Sequence, residues 1–314
     1  MRLEKALAEN RFILAEAAVI ETLRRTPGIT LDPELANSPL IYEARGRRLI
    51  AGLINRFIGL ARQIEVPIVV TTPTWRANRE RLVRAREERD VNGDAVAFIR
   101  EIQAGWPGWG RENILVGGLM SCRNDCYRPD LALTPAAAEK FHVWQARRLA
   151  VAGVDFLIAQ TLPALSEALG LARALAATGT PYLISFVIDS RGLLLDGQTL
   201  EEAVTEIDSG AFPVPAGYMI NCAWPGFLKA ETEPESVLSR LVGFQANAAC
   251  LDPGKLDNSP ELKVGDLDEW ARRMAELNRR FGLQILGGCC GTGSEHLERL
   301  VRELGYRLPA AKRS

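Results

Sequence analysis

Short, continuously apolar runs alternate along the chain with longer stretches whose apolar residues recur at helical spacing. The runs predict strands at Phe12–Ala15, Pro67–Thr71, Ile114–Gly118, Phe156–Gln160, Tyr182–Val187, Tyr218–Asn221, Gly243–Asn247 and Leu283–Gly287. Runs such as Phe156-Leu157-Ile158-Ala159 lack polar alternation, which suits strands covered on both faces, as in a parallel sheet. Helices are expected between them. Thr134-Pro135 supplies a capping hydroxyl and a residue that fits a first turn, so a helix should run towards Ala152 and stop at Gly153. Ser166 should open another, ending near Gly179. Thr199 with Glu202, and Asp266 with Glu269, have the spacing of a capping box.

The order is β-α repeated about eight times with no Pro/Gly/Ser-rich linker, which predicts one parallel (β/α)₈ TIM barrel. It is expected to span residues 1–314 as a single domain, with 308–314 as a flexible tail. A doubly wound open sheet is the competing architecture. Segments 22–45, 119–133 and 250–265 read as irregular loops, the first and last containing Pro33, Pro39, Pro253 and Pro260. In a barrel, loops following strands build the active face.

Charge narrows the function classes. Lys plus Arg is 38 and Asp plus Glu is 39, so nothing draws the whole chain to nucleic acid or anionic lipid. No run reaches 18 apolar residues, and Met1–Phe12 has no apolar signal core. A cytoplasmic protein is expected, whose six cysteines are thiols or metal ligands rather than a disulfide frame. There are only two histidines, so thiolate chemistry has more candidates than imidazole chemistry.

The most specific segment is Gly287-Gly288-Cys289-Cys290-Gly291-Thr292-Gly293, between an apolar strand and a helix starting near Ser294. Adjacent side chains on a regular strand point oppositely, so two neighbouring thiols rarely serve one metal. Glycine-flanked turns lift that restriction. A vicinal disulfide or two buried thiols are the plainer readings. Cys222, in Asn221-Cys222-Ala223-Trp224-Pro225, falls just after the sixth predicted strand. In a barrel it opens on the same face as the eighth, and three thiolates with an open position describe catalytic zinc.

These two segments resemble the homocysteine S-methyltransferase family, from about Phe12 to Leu300. The resemblance implies a barrel whose Zn²⁺ is held by Cys222, Cys289 and Cys290. Thr72-Pro73-Thr74-Trp75 resembles the family's T-x-T-aromatic segment, Gly153-Val154-Asp155 its G-x-D lead into strand four, and Asn247 an Asn after strand seven. By the same resemblance Glu16, Thr72, Gln160, Asn221 and Asn247 are candidate substrate contacts.

The departures concentrate away from the thiols. After strand one, where the family is glycine-rich, this chain reads Glu16-Ala17-Ala18-Val19-Ile20-Glu21. After strand four the family's Glu-Thr, whose Glu helps hold the substrate amino group, is Gln160-Thr161. Gln accepts a hydrogen bond but carries no charge, so about 1–3 kcal/mol of binding is at stake.

The implied reaction is transfer of a methyl group from a sulfonium, betaine-like or corrinoid donor to a thiol, with homocysteine the expected acceptor. A corrinoid donor would need a separate corrinoid protein. The competing readings are a methyltransferase for another thiol and a non-catalytic zinc-binding barrel with a sensing or interaction role. Cys122 and Cys126 form C-x₃-C, read as ordinary loop thiols before an accessory metal or redox site. His142 and His296 read as packing or surface residues. Trp106, Trp109 and Trp224 suit local packing, a pocket wall or a dimer contact, and the basic run 76–89 a solvated helix face.

Overall fold

The computed structural model describes residues 2–256 and 263–308. The expected tail beyond Leu308 and the loop proline Pro260 lie outside the described residues. Eight strands are present: β1 (Ile13–Ala15), β2 (Ile68–Thr71), β3 (Ile114–Met120), β4 (Phe156–Leu162), β5 (Tyr182–Phe186), β6 (Gly217–Ala223), β7 (Leu241–Ala246) and β8 (Ile285–Gly288). They pair in chain order as a closed parallel barrel. β1 closes on β8 through Ile13↔Ile285 and Leu14↔Leu286. That pairing rules out the open doubly wound sheet.

Two apolar layers hold the barrel. Inside it, Ile13, Val69, Leu115, Phe156, Leu183 and Ile285 form one cluster. A larger layer lies between strands and helices, where Leu14, Val70, Val116 and Leu157 meet helix residues such as Ile54, Ile99 and Leu171. Successive strand residues serve alternate layers, which is why the runs are apolar throughout. Each such buried side chain contributes about 1.5–3 kcal/mol.

One helix was not foreseen. Arg2–Glu9 lies across the N-terminal mouth, with Leu3 and Ala6 in the interior cluster. Arg2 Nη1 donates to Asp155 Oδ1 at 2.6 Å, and Gln284 Nε2 donates to the Leu7 carbonyl at 2.6 Å. Asp155 of the Gly-x-Asp segment also accepts from Arg100 and from the Val116 N–H, so it anchors the barrel floor.

The remaining differences are local. The helix Pro135–Val151 begins where expected, with Gly153 in the left-handed region at φ 85°, but Thr134 makes no capping side-chain bond. The helix Leu165–Ala176 starts one residue before Ser166, again without a side-chain cap. Thr199 and Glu202 complete both bonds of their box, whereas Asp266 supplies only the bond to the Glu269 N–H, at 2.8 Å. β3 runs on to Met120 and shortens the 119–133 loop. β6 contains Cys222 rather than ending before it, and β7 stops at Ala246, leaving Asn247 beyond it.

Candidate metal centre and substrate cavity

Two irregularities in the barrel wall shape the site. The β6–β7 register slips between Asn221 and Ala223, and Cys222 between them has φ 55°. The β4–β5 register slips between Ala159 and Leu162, and Thr161 has φ 59°. Bulges of this kind re-aim a side chain. A β-branched residue in the left-handed region is strained and must be held by its surroundings. Asn221 does the holding. Its Oδ1 accepts from the Thr161 N–H at 2.8 Å and from Ser185 Oγ at 2.7 Å, and its Nδ2 donates to Thr161 Oγ1 at 2.7 Å. From the other side Asn247 Nδ2 donates to the Cys222 carbonyl at 2.8 Å.

The vicinal cysteines sit on the turn leaving β8. The Cys289 N–H donates to the Ala246 carbonyl at 2.7 Å, and the Cys290 carbonyl accepts from the Ala248 N–H at 2.9 Å. Gly291 has φ 81°, and its N–H donates to the Glu21 carboxylate. Gly288 leaves room for Thr292, whose Oγ1 would lie 2.0 Å from an added Cβ. Thr292 uses that hydroxyl to donate to the Cys289 carbonyl at 2.6 Å. The turn removes strand alternation, and the sulfur atoms of Cys222, Cys289 and Cys290 all lie within 4.8 Å of one another. All six cysteines are free, Cys289 and Cys290 included.

Hydrogen bonds from Cys289 and Cys290, then from the Tyr127 and Thr161 hydroxyls, hold Cys222 well below the usual thiol value despite burial. Bonding to Cys222 and burial push Cys289 and Cys290 upwards. The three sulfur atoms therefore bond to one another at one point of the wall. A divalent cation that replaces those protons suits this donor set, since thiolate ligation is strongest for borderline and soft metals.

A cavity of about 630 Å³ opens over the triad. Glu16, Thr72, Gln160 and Asn221 contribute to its wall, but Asn247 does not. Asn247 is a correction: it lies behind Cys222 and positions the backbone there. Asn221 is 1% exposed, and the bonds above commit its amide to Thr161 and Ser185. Thr72 Oγ1 is committed to Thr74 Oγ1 at 2.7 Å and the Leu119 N–H at 3.1 Å. Gln160 Nε2 donates to Gln245 Oε1 at 2.6 Å. Burial raises the Glu16 carboxyl to about 7, against hydrogen bonds from Thr71 that pull it down.

Sequence reasoning missed several wall residues. Tyr127 bonds Cys222, and Glu21, Arg24, Arg76, Arg81 and Arg84 line the cavity. The basic run is therefore not simply a solvated face. Nothing in its spacing distinguishes inward from outward arginines, because the helix Arg79–Arg84 is barely two turns long.

Cys122 and Cys126 are buried, and burial pushes the Cys122 thiol up to about 12 and Cys126 well above its usual value. Neither belongs to the metal-ligand cluster found among the described residues. His142 is buried 2.9 Å from Glu167 Oε1, and His296 packs edge-on against Trp270 at 5.2 Å. Trp224 is buried in the outer core, and Trp106 and Trp109 pack on each other at 6.2 Å.

The homocysteine S-methyltransferase family profile matches residues 13–304. The chain belongs to this family. It is a homocysteine S-methyltransferase-type enzyme, a thiol S-methyltransferase acting on small molecules. This family member is 25% identical over 271 residues to the S-methylmethionine–homocysteine S-methyltransferase BHMT2 of Pongo abelii, covering 78% of this chain and 69% of that one. Among solved structures it is similar to the homocysteine methyltransferase MmuM from Escherichia coli. The metallated form is 21% identical with a TM-score of 0.72, covering 96% of this chain and 99% of that one. The oxidized form is 21% identical over the same shares, with a TM-score of 0.73. At this identity the likeness shows the barrel alone. No helix among the described residues is long and apolar enough to cross a membrane.

Proposed function

We propose that Cys222, Cys289 and Cys290 hold Zn²⁺, that homocysteine is the methyl acceptor, and that a sulfonium or betaine-like compound is the donor. The observation that carries the reading is the convergence of three sulfur atoms within 4.8 Å on a cavity wall. Three thiolates leave a fourth tetrahedral position for a substrate thiol, the pattern of catalytic rather than structural zinc. Bound zinc favours the thiolate form of a ligand sulfur, which is the nucleophilic form.

The chain's own residues supply position. Asn247 holds the Cys222 carbonyl, Asn221 holds the strained Thr161, and Gly291 with Glu21 fixes the vicinal turn. Glu16 supplies the buried carboxyl that meets an amino group, a task Gln160 performs without charge and while bonded to Gln245. That substitution supports a second acceptor reading, a thiol other than homocysteine. The name of the Pongo abelii relative supports S-methylmethionine as the first donor to try. A corrinoid donor would have to arrive on a separate protein. Three free thiols in one site suit a reducing, cytoplasmic setting.

The test is zinc content together with thiol-dependent methyl transfer. Protein purified anaerobically with reduced cysteines is expected to hold one zinc per chain and to methylate homocysteine. A reduced, folded protein without zinc overturns the metal reading. Zinc without turnover on homocysteine, but with turnover on another thiol, overturns the acceptor.

A further inference from the structure

The cavity wall carries a charge pattern that zinc-assisted methyl transfer does not require. Among the described residues six cations line it, against the carboxyls of Glu16, Glu21 and Asp125. Some of these cations are neutralised. Arg84 pairs with Glu34 and Glu80, and Arg25 with Glu21. Others are not. Arg24 and Arg76 make no ion pair among the described residues, and Arg81 shares its one carboxylate, Glu34, with Arg84.

Arg76 is held ready for a ligand. Its guanidinium lies 4.1 Å over the Trp75 ring, and Nη1 donates to the Asn124 carbonyl at 2.6 Å. Stacking and one bond fix the plane while most of the five donors stay uncommitted. Arg81 Nε and Asn37 Oδ1 are buried without a hydrogen-bond partner, and both residues line the cavity. Arg76 and Arg81 line the same cavity, and burial, then the charge of Arg76, pull Arg81 below its usual value. Like charges held together at a partly dry wall are stabilised by an anion between them.

We propose that Arg76 and Arg81, assisted by Arg24, form a subsite for an oxyanion, a carboxylate or a phosphate, carried by one of the two substrates. The proposal rests on reading this cavity as the methyl-transfer site. A donor whose only charge is a sulfonium or quaternary ammonium is repelled by this wall, whereas a donor or thiol with an anionic end bridges it.

The experiment is calorimetric titration with sodium succinate and, separately, inorganic phosphate, at constant ionic strength and without thiol or donor. One of the anions is expected to bind. The tighter of the two identifies the group as carboxylate or phosphate. Arg76→Gln and Arg81→Gln should each weaken binding about tenfold, the loss of a charge-assisted bond. Arg76→Lys, which keeps the charge but loses the fork, should weaken it less, and Arg280→Gln on the outer surface should leave it unchanged. Circular dichroism and melting confirm that each variant is folded. No binding of either anion at millimolar concentration, or binding unchanged in both folded glutamine variants, overturns the subsite. In steady-state assays, the substrate whose KM rises in Arg81→Gln is the one that carries the anion. Anion binding that responds to both arginines, without methyl transfer to any thiol, keeps the subsite and rejects the reaction. Methyl transfer with anion binding indifferent to the arginines does the reverse.

Discussion

The two sides of the cavity are built differently. On the β6–β8 side, three thiols are presented by a bulge and a glycine turn, and each backbone segment is pinned by a named bond to a neighbouring strand end. On the β1–β4 side, polar side chains are committed to one another: Gln160 to Gln245, Thr72 to Thr74, Glu16 to Thr71. The first side converges three sulfur atoms on one point, the place proposed above for a cation and a thiol. The second is organised around itself, with unneutralised arginines nearby. Metal chemistry tolerates few geometries, because ligand number and distance are set by the ion. Substrate recognition tolerates many, because hydrogen bonds and charges can be redistributed around a wall.

The comparison breaks first at the thiols. Cys290→Ser should reduce zinc retention and methyl transfer by more than about a hundredfold, since even residues that only support a ligand cost ten- to a hundredfold. Metal analysis and turnover check this together, and an active, zinc-loaded serine variant would show that the triad is not the centre. Asn221→Ala should come next. It removes three hydrogen bonds and leaves the strained Thr161 unsupported, costing about 2–4 kcal/mol in denaturant unfolding and loosening metal binding through Cys222.

The opposite wall is sharpened by pH. Glu16 has its carboxyl raised from 4.5 to about 7, so the folded chain binds an extra proton between those values. The stability this contributes is fully present below pH 4.5 and is lost as pH rises through 7, with an upper bound of about 3 kcal/mol. Glu16→Gln should flatten that part of the profile, as read by urea unfolding at a series of pH values. The smallest expected effect is Gln160→Glu. Restoring a carboxylate should lower the KM for homocysteine about tenfold with kcat little changed, the worth of one charge-assisted contact. An unchanged KM would show that the amino group is not met there.

The barrel was legible because its strands are buried on both faces, so their apolar runs stand out without alternation. The vicinal cysteines were legible because glycine and cysteine in that order have few structural uses. Cys222 was legible only through its distance from a strand end, and the bulge that turns its sulfur inward has no sequence signature. The same holds for the supporting amides: Asn247 bonds the Cys222 carbonyl, and Asn221, on the cavity wall, bonds Thr161 and Ser185. Their hydrogen bonds cross between strands that lie far apart in the chain. The inward arginines were hidden for another reason. In so short a helix, facing is decided by the loops on either side rather than by periodicity. The helix Arg2–Glu9 was missed because it packs across a mouth that exists only once the ring is closed.

The seam between β1 and β8 has one more consequence. β1 is three residues long, but contact between the two ends of the chain continues past it: the Gly288 N–H donates to the Glu16 carbonyl at 3.0 Å, and the Gly291 N–H reaches Glu21, 270 residues away in sequence. Completing the ring and aiming the last two thiols are therefore one event. During synthesis Cys222 stands alone until Cys289 and Cys290 have been made and their turn has docked on the first strand. A chain that stopped before Cys289 would lack two of the three candidate ligands.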